Sequence, residues 1–276
     1  MVSIVDDVAS IVFAAGKGSR MTGYEGNKTL LPLIPARSAY EGSHSLLVEV
    51  LKSLPAGPKG IVVHHRAEDV QRETEDLGCS YLFQPETNGT GGALLAARPF
   101  LESAPNDCVV ITMGDVPLIH PATYARLVRR LSDCELAVLA FVPRDRAQYG
   151  MIEMEGDRVA RIVEWKYWST YPSSRLAELK YCNAGVYAAG REMLLRYMTR
   201  LADAPHRVRK QRGDRWVVIE EYFLTDLVEL ICNDGLKVGL VEACEEEVVG
   251  VDTPEALKYV QEQYAKRVSG KADAGK

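Results

Sequence analysis

Five short apolar runs rich in branched residues punctuate the first half of the chain: Ile11-Val12-Phe13-Ala14, Gly60-Ile61-Val62-Val63, Ser80-Tyr81-Leu82-Phe83, Val109-Val110-Ile111-Thr112 and Ala137-Val138-Leu139-Ala140-Phe141. Between them the spacing of apolar residues predicts helices around 45–54, 67–77, 91–102 and 121–131. Strands alternating with helices at this interval form βαβ units, so the expected fold is α/β, with a mostly parallel sheet covered on both faces. Ligands of such sheets bind beyond the carboxyl ends of the strands. The loops that begin at Ala15, Gln84 and Gly114 are therefore expected to meet at one site.

After about residue 145 the rhythm changes. Gly150–Met154 and Arg158–Val163 read as antiparallel strands hinged at Glu155-Gly156-Asp157, which makes a mixed central sheet the expectation. A helix near 220–232 and a strand near 236–241 follow, and Thr253-Pro254-Glu255 opens a last helix with a capping threonine and a first-turn proline. There is no internal repeat and no stretch with the composition of a linker, so residues 1–268 are expected to form a single domain. Residues 269–276 are expected to fray as a disordered tail.

At 276 residues, 47% hydrophobic and 26% charged, the chain has enough apolar side chains for a full core, which excludes a disordered or disulfide-stapled protein. Its formal charge of -5 supplies no basic surplus for wrapping a polyanion, so nucleic acid is not an expected partner. No apolar run approaches the ~20 residues of a membrane span. The N-terminus carries Asp6 and Asp7 rather than the basic residues of a signal peptide, so a cytoplasmic location without membrane association is expected. The six cysteines include no Cys-x-x-Cys pair, which argues against a zinc ribbon or a disulfide framework.

The first strand runs into Ala14-Ala15-Gly16-Lys17-Gly18-Ser19-Arg20-Met21. Small residues there let backbone N–H groups approach phosphate oxygens. A dinucleotide fingerprint would need glycine where Met21 stands, and a P-loop would need Gly-Lys-Ser/Thr where Gly23-Tyr24-Glu25 stands, so neither standard reading holds. Arg20 and Lys28 flank this loop with two cations, and positioning plus charge neutralisation is what transfer at a polyphosphate requires.

These residues resemble a known family, the sugar nucleotidyltransferases, and within it the uridylyltransferase domains of bifunctional N-acetylglucosamine-1-phosphate uridylyltransferases. The family pattern L-A-A-G-x-G-T-R-M followed by P-K-x-L is matched by Phe13–Met21 and Asn27-Lys28-Thr29-Leu30, with Asn27 in place of proline and one extra residue before Lys28. Gln84–Ala93 is similar to the Q-x(4,5)-G-T-G segment, and Met113-Gly114-Asp115-Val116-Pro117-Leu118 to G-D-V-P-L. Tyr149-Gly150, Ile162-Val163-Glu164-Trp165-Lys166, Asn183-Ala184-Gly185, Glu221–Asp226 and Val249–Pro254 resemble five later motifs in the same order.

The resemblance implies a Rossmann-like three-layer nucleotidyltransferase fold and a Mg2+-dependent reaction of UTP with a sugar 1-phosphate, N-acetylglucosamine 1-phosphate or a related hexose 1-phosphate. The products would be a UDP-sugar and pyrophosphate. It implies catalytic roles for Arg20 and Lys28, and nucleotide contacts from Ala14, Ala15, Gly16, Gly18, Gln84, Gly89 and Thr90. Sugar-phosphate contacts fall to Gly150, Glu164, Asn183 and Thr225, and the metal to Asp115 and Asp252. The amide of Gln84 offers both donor and acceptor, which suits the edge of uracil or thymine. Asp252 stands where the uridylyltransferase has asparagine, a departure that bears on the sugar rather than on the reaction.

Alternatives are a cytidylyl- or thymidylyltransferase for another phosphorylated small molecule, a cofactor-guanylating transferase, and a non-catalytic pyrophosphorylase-like regulatory subunit. Hexapeptide repeats are absent from the sequence, so acetyl transfer is not expected. The expected assembly is a monomer or small homo-oligomer. Other features read as structural. The His64-His65 pair lacks a third ligand at a suggestive spacing. Trp165, Tyr167, Trp168 and Tyr171 read as packing or a subunit contact. The residues 37–44 read as a lengthened loop, and the basic run Arg207, Arg209, Lys210, Arg212 and Arg215 as a solvated loop that attracts anionic substrate.

Overall fold

Every residue of β1 (Ala9–Phe13) is buried, as befits a strand covered on both faces. The chain is described by a computed structural model over residues 7–18, 20–212 and 215–274. The strands that follow are β2 (Pro32–Ser38), β3 (Glu41–Ser45), β4 (Lys59–Val63), β5 (Ser80–Phe83), β6 (Cys108–Met113) and β7 (Leu136–Phe141). After them come β8 (Met151–Glu155), β9 (Arg158–Val163), β10 (Tyr181–Gly190), β11 (His206–Arg212), β12 (Arg215–Glu221) and β13 (Val238–Glu242).

The central sheet has the order β13-β7-β10-β6-β1-β4-β5, with β8 paired to β10 and β9 to β8. β1 pairs in parallel with β4 and β6, β4 with β5, and β7 with β13. β10 runs antiparallel between β6 and β7. The mixed, mostly parallel three-layer fold is thus as expected, yet β10 itself was not legible as a strand. Its Ala184, Gly185, Ala188, Ala189 and Gly190 lack the branched side chains that mark a strand.

The period of two along β1 divides the core into its layers. Ala9, Ile11 and Phe13 pack with Leu94, Leu101, Leu194 and Leu227 on one face of the sheet. Val12 packs with Leu47, Val50, Tyr124 and Leu127 on the other. A third cluster joins Met21, Leu31, Leu33 and Leu46 to Val251, Leu257 and Val260. That small core brings the glycine-rich turn together with the start of the C-terminal helix, although their sequence positions are at opposite ends.

Several expected boundaries differ. The helix anticipated over 91–102 is two, Thr90–Ala96 and Arg98–Ser103, because Pro99 starts a new first turn. The helix expected near 220 begins at Asp226, after β12. Residues 207–212 and 215 are not a loop: β11 and β12 pair antiparallel, with Val208 opposite Ile219 and Arg209 opposite Val218, branched residues that the basic ones obscure. The lengthened 37–44 segment is a hairpin, β2 with β3, and Gln261 Nε2 donates to Pro32 O (2.7 Å) and Ala39 O (2.9 Å) to hold it against the last helix. That helix, Pro254–Ala274, is capped as expected by Thr253, whose hydroxyl accepts from Ala256 N at 3.2 Å. Among the described residues no helix is long and apolar enough to cross a membrane.

Candidate active site

The glycine-rich turn leaves the carboxyl end of β1 under tight constraint. Gly18 has φ +64°, and a Cβ there would meet the Lys28 side chain at 3.0 Å. Glycine at 18 therefore leaves room for the lysine stem. Asn27, which carries no role in the sequence reading, is fully enclosed: its Nδ2 donates to Ala14 O (2.8 Å) and His65 O (3.0 Å), and its Oδ1 accepts from Thr29 N (3.0 Å) and Thr29 Oγ1 (2.8 Å). A proline in its place could supply none of these bonds. Ser19 lies outside the described residues.

Lys28 projects into a pair of carboxylates. Its Nζ is in ion-pair contact with Asp115 Oδ2 and lies 2.5 Å from Asp252 Oδ1, while Arg20 Nη2 sits 2.9 Å from Asp252 Oδ2. Burial works against the ammonium, but the charges of Asp115 and Asp252 override it and hold the Lys28 pKa well above the ordinary lysine range. Asp115 follows β6, where Gly114 N donates to Phe13 O (3.0 Å) and Asp115 O accepts from Val251 N (3.0 Å). These two bonds tie the ends of β1 and β6 to the turn that carries Asp252.

Two carboxylates converging on one cation form a donor set suited to a divalent ion whose shell is completed by water and phosphate oxygens. Among the described residues there is no group of three or more His, Cys, Asp or Glu that could form an all-protein cage. The residues present therefore fit Mg2+ shared with a phosphorylated substrate.

The same cleft, about 290 Å³, is lined by Ala15, Gly16, Lys28 and Asp115 at one end and by Gln84, Gly89 and Thr90 at the other. Gln84 is buried, and its Nε2 donates to Asn88 Oδ1 (3.0 Å) and Gly89 O (3.3 Å). Those bonds orient the amide and leave Oε1 without a hydrogen-bond partner among the described residues. Gly89, at φ +98°, passes so close to Tyr222 O that a Cβ would overlap it, and at Gly91 a Cβ would lie 2.7 Å from Tyr222 C. Tyr222 N donates to Asn88 O (2.9 Å), Gly91 N to Tyr222 O (2.8 Å) and Leu224 N to Thr90 Oγ1 (3.1 Å). The Gly-Thr-Gly segment thus docks edge to edge on residues 222–224, and the Thr90 hydroxyl serves that docking.

The acceptor candidates share one row of the sheet. Asn183 N donates to Gly150 O at 2.8 Å. Met151 pairs with Val163, and that register continued by one residue sets Gly150 beside Glu164. Thr225 Oγ1 donates to Glu164 Oε1 at 2.9 Å, bringing the fourth candidate to the same row. A second cavity of about 490 Å³ opens there, lined by Glu164, Thr225, Lys166, Tyr167 and Phe223 among others. The Asn183 amide is largely committed within its own strand: Nδ2 donates to Tyr187 Oη (2.7 Å), and Oδ1 accepts from Gly185 N (3.0 Å) at a bulge where Gly185 takes φ +73°.

His64 Nδ1 bonds Gln84 O at 2.8 Å, and its ring stacks on Phe83. In the basic run, Arg207 pairs at the surface with Glu220 at 3.6 Å and neither Arg207 nor Arg209 lines the nucleotide cleft. The side chains of Lys210, Arg212 and Arg215 lie outside the described residues.

Comparison with known proteins gives the family and the fold. The sequence profile of the MobA-like NTP transferase domain matches residues 10–221. The bifunctional protein GlmU of Cereibacter sphaeroides (strain ATCC 17023) is 32% identical over 270 residues, covering 96% of this chain and 54% of that protein. The bifunctional protein GlmU of Ruegeria sp. (strain TM1040) is 30% identical over 247 residues, covering 89% and 50%. The chain spans about half the length of the curated relatives it matches. The uridine diphosphate N-acetylglucosamine pyrophosphorylase from Trypanosoma brucei, solved with an inhibitor, superposes with a TM-score of 0.71 over 93% of this chain and 65% of its own. At 14% identity that likeness is one of fold.

Proposed function

The chain is a nucleotidyltransferase of the MobA-like NTP transferase family, and from that premise we propose that it joins UTP to a sugar 1-phosphate, releasing pyrophosphate. The observation that carries this reading is the shared cleft: Lys28 and Asp115 line it together with Gln84 and Gly89. Phosphate chemistry and base selection are thereby within the reach of one nucleotide.

The oriented Gln84 amide favours uracil or thymine. With Nε2 committed to Asn88 and Gly89, Oε1 is left to accept a hydrogen bond from the base. The imide N–H of uracil meets that need at N3, where cytosine presents an acceptor and donates only from its neighbouring exocyclic amine. Thymine presents the same edge, which makes dTTP the alternative donor to test beside UTP.

In the proposed reaction an oxygen of the sugar 1-phosphate attacks the α-phosphorus in line, and pyrophosphate departs. Lys28 and Arg20 supply positive charge for the triphosphate, and the glycine-rich turn offers backbone N–H groups. Asp115 and Asp252 would hold Mg2+, which supplies further neutralisation of phosphate charge when bound. Glu164 and Thr225, with the Gly150 backbone, bind and orient the acceptor; N-acetylglucosamine 1-phosphate and related hexose 1-phosphates are the candidates that the resemblance of the motifs implies.

The test is pyrophosphate release with Mg2+ across UTP, dTTP, CTP and GTP, each against a panel of sugar 1-phosphates, with Asp115→Ala as control. Turnover of UTP with one sugar, abolished in the control, is the expected result. Nucleotide binding without turnover across the panel would replace this reading with a regulatory one.

A further inference from the structure

We infer that Trp168 is a positioning residue for the acceptor, fixing the Tyr149–Gly150 turn against Glu164 through its indole N–H. The inference rests on the acceptor reading of the Gly150, Glu164 and Asn183 row. Trp168 closes the four-residue helix Trp165–Trp168, and it is 7% exposed where Trp165 and Tyr167 are 42% and 50%. So short a helix has no stability of its own and is held by what its side chains pack against.

Trp168 is bonded at both ends of the row. Its backbone N donates to Glu164 O at 3.2 Å, and its Nε1 donates to Tyr149 O at 2.8 Å. The Tyr149 ring lies edge-on to Phe141 at 5.0 Å, so the turn is wedged from its other side as well. Gly150 is equally confined: a Cβ there would meet Ile162 Cγ2 at 3.0 Å and approach Val163 O at 3.8 Å and Asn183 Cβ at 3.9 Å. The segment before β8 is irregular, with Ala147 at φ +41°. Beside the backbone bond from Asn183 N to Gly150 O, its place is set by the side-chain bond to Tyr149 O. The indole N–H joins the turn carrying Gly150 to the helix that Glu164 precedes.

Trp168→Phe keeps an aromatic ring and removes the donor. Loss of one buried bond that leaves a carbonyl unpaired should raise KM for the sugar phosphate roughly tenfold. KM for UTP should stay within about twofold, because Gln84 and Gly89 lie on other elements. Trp165→Phe, at the exposed ring of the same helix, should leave both constants within about twofold. An independent readout is the indole N–H resonance of the wild-type protein, which has three tryptophans. The signal missing from the Trp168→Phe spectrum should resist solvent exchange and shift when sugar 1-phosphate is added to the UTP-bound protein. If Trp168→Phe does not fold, single substitutions of Trp165 and Trp216 assign that signal by elimination. An equal rise in both KM values, no change in either, or an indole signal indifferent to the acceptor would overturn the inference. A wild-type protein that turns over no acceptor fails earlier, and takes the underlying reading with it.

Discussion

Arg20 and Asp252 stand 232 positions apart in the chain and form an ion pair at 2.9 Å, with the second oxygen of Asp252 held by Lys28. The cations proposed to meet the triphosphate are thus neutralised by the carboxylates proposed to meet the metal. Nucleotide must draw Arg20 and Lys28 away from Asp252, and a divalent ion makes that exchange easier by taking the carboxylates.

Binding of UTP and Mg2+ should therefore be synergistic. Asp252→Asn removes the competing charge while retaining a polar group of the same shape. It should bind UTP without metal roughly two- to fivefold more tightly than wild type, the scale of a partly exposed ion pair. Titration calorimetry with and without Mg2+ measures this, and equal metal-free affinities would refute the exchange.

Lys28→Met leaves Asp115 and Asp252 facing each other without their cation. Stability should fall by about 2 kcal/mol, less than the loss on breaking a fully buried pair because water reaches Asp252. Millimolar Mg2+ should restore part of the loss by occupying the ammonium's place. Urea unfolding in chelator and in Mg2+ tests both statements, and kcat should fall on the order of a hundredfold.

Gly89→Ala forces a Cβ against the Tyr222 carbonyl at a backbone conformation, φ +98°, that L residues rarely adopt. The expected cost is about 2 kcal/mol of stability, accompanied by weaker UTP binding as the Gln84–Gly89 edge shifts. Gly78→Ala makes the control: its φ is also positive, but no atom lies within 4 Å of the added methyl. A melting temperature that falls equally in both variants would show that the backbone angle alone, and not the approach to Tyr222, governs the position.

Thiol reactivity should divide along burial. Burial pushes the Cys182 thiol from 9.0 to about 12, with Arg146 opposing and Glu245 reinforcing the shift. A folded-state pKa raised in this way adds stability that is complete below pH 9 and fades as pH rises from there towards 12. At pH 8 a thiol reagent should label exposed Cys244 and spare Cys182 until the protein is unfolded. Equal labelling rates, followed by peptide mass spectrometry, would contradict the burial assigned to Cys182.

The local periodicities were readable from the chain itself. Runs such as Ile11–Ala14 and Val109–Thr112 announce strands because branched residues on adjacent positions must be covered on both faces of a sheet. Glycine at 18 and 89 announces close backbone approach for a similarly local reason, and the order of motifs from Phe13 to Pro254 carried the family. Where a pattern is mixed, the reading failed: the arginines of β11 and β12 mask the branched residues of two paired strands, and the small residues of β10 hide a strand.

Which residues meet was decided by folding. Insertion of β10 between β6 and β7 sets Asn183 beside Gly150, and only non-local pairing brings Glu164 and Thr225 to that row. The core of Met21, Leu31, Val251 and Leu257 draws Asp252 onto Lys28 across more than two hundred residues. Asn27 and Trp168 owe their roles to carbonyls of Ala14, His65 and Tyr149 that are left to be satisfied once the loops close. Hydrophobic periodicity is a property of neighbours along the chain, whereas a hydrogen-bond debt exists only after distant segments have excluded water from one another.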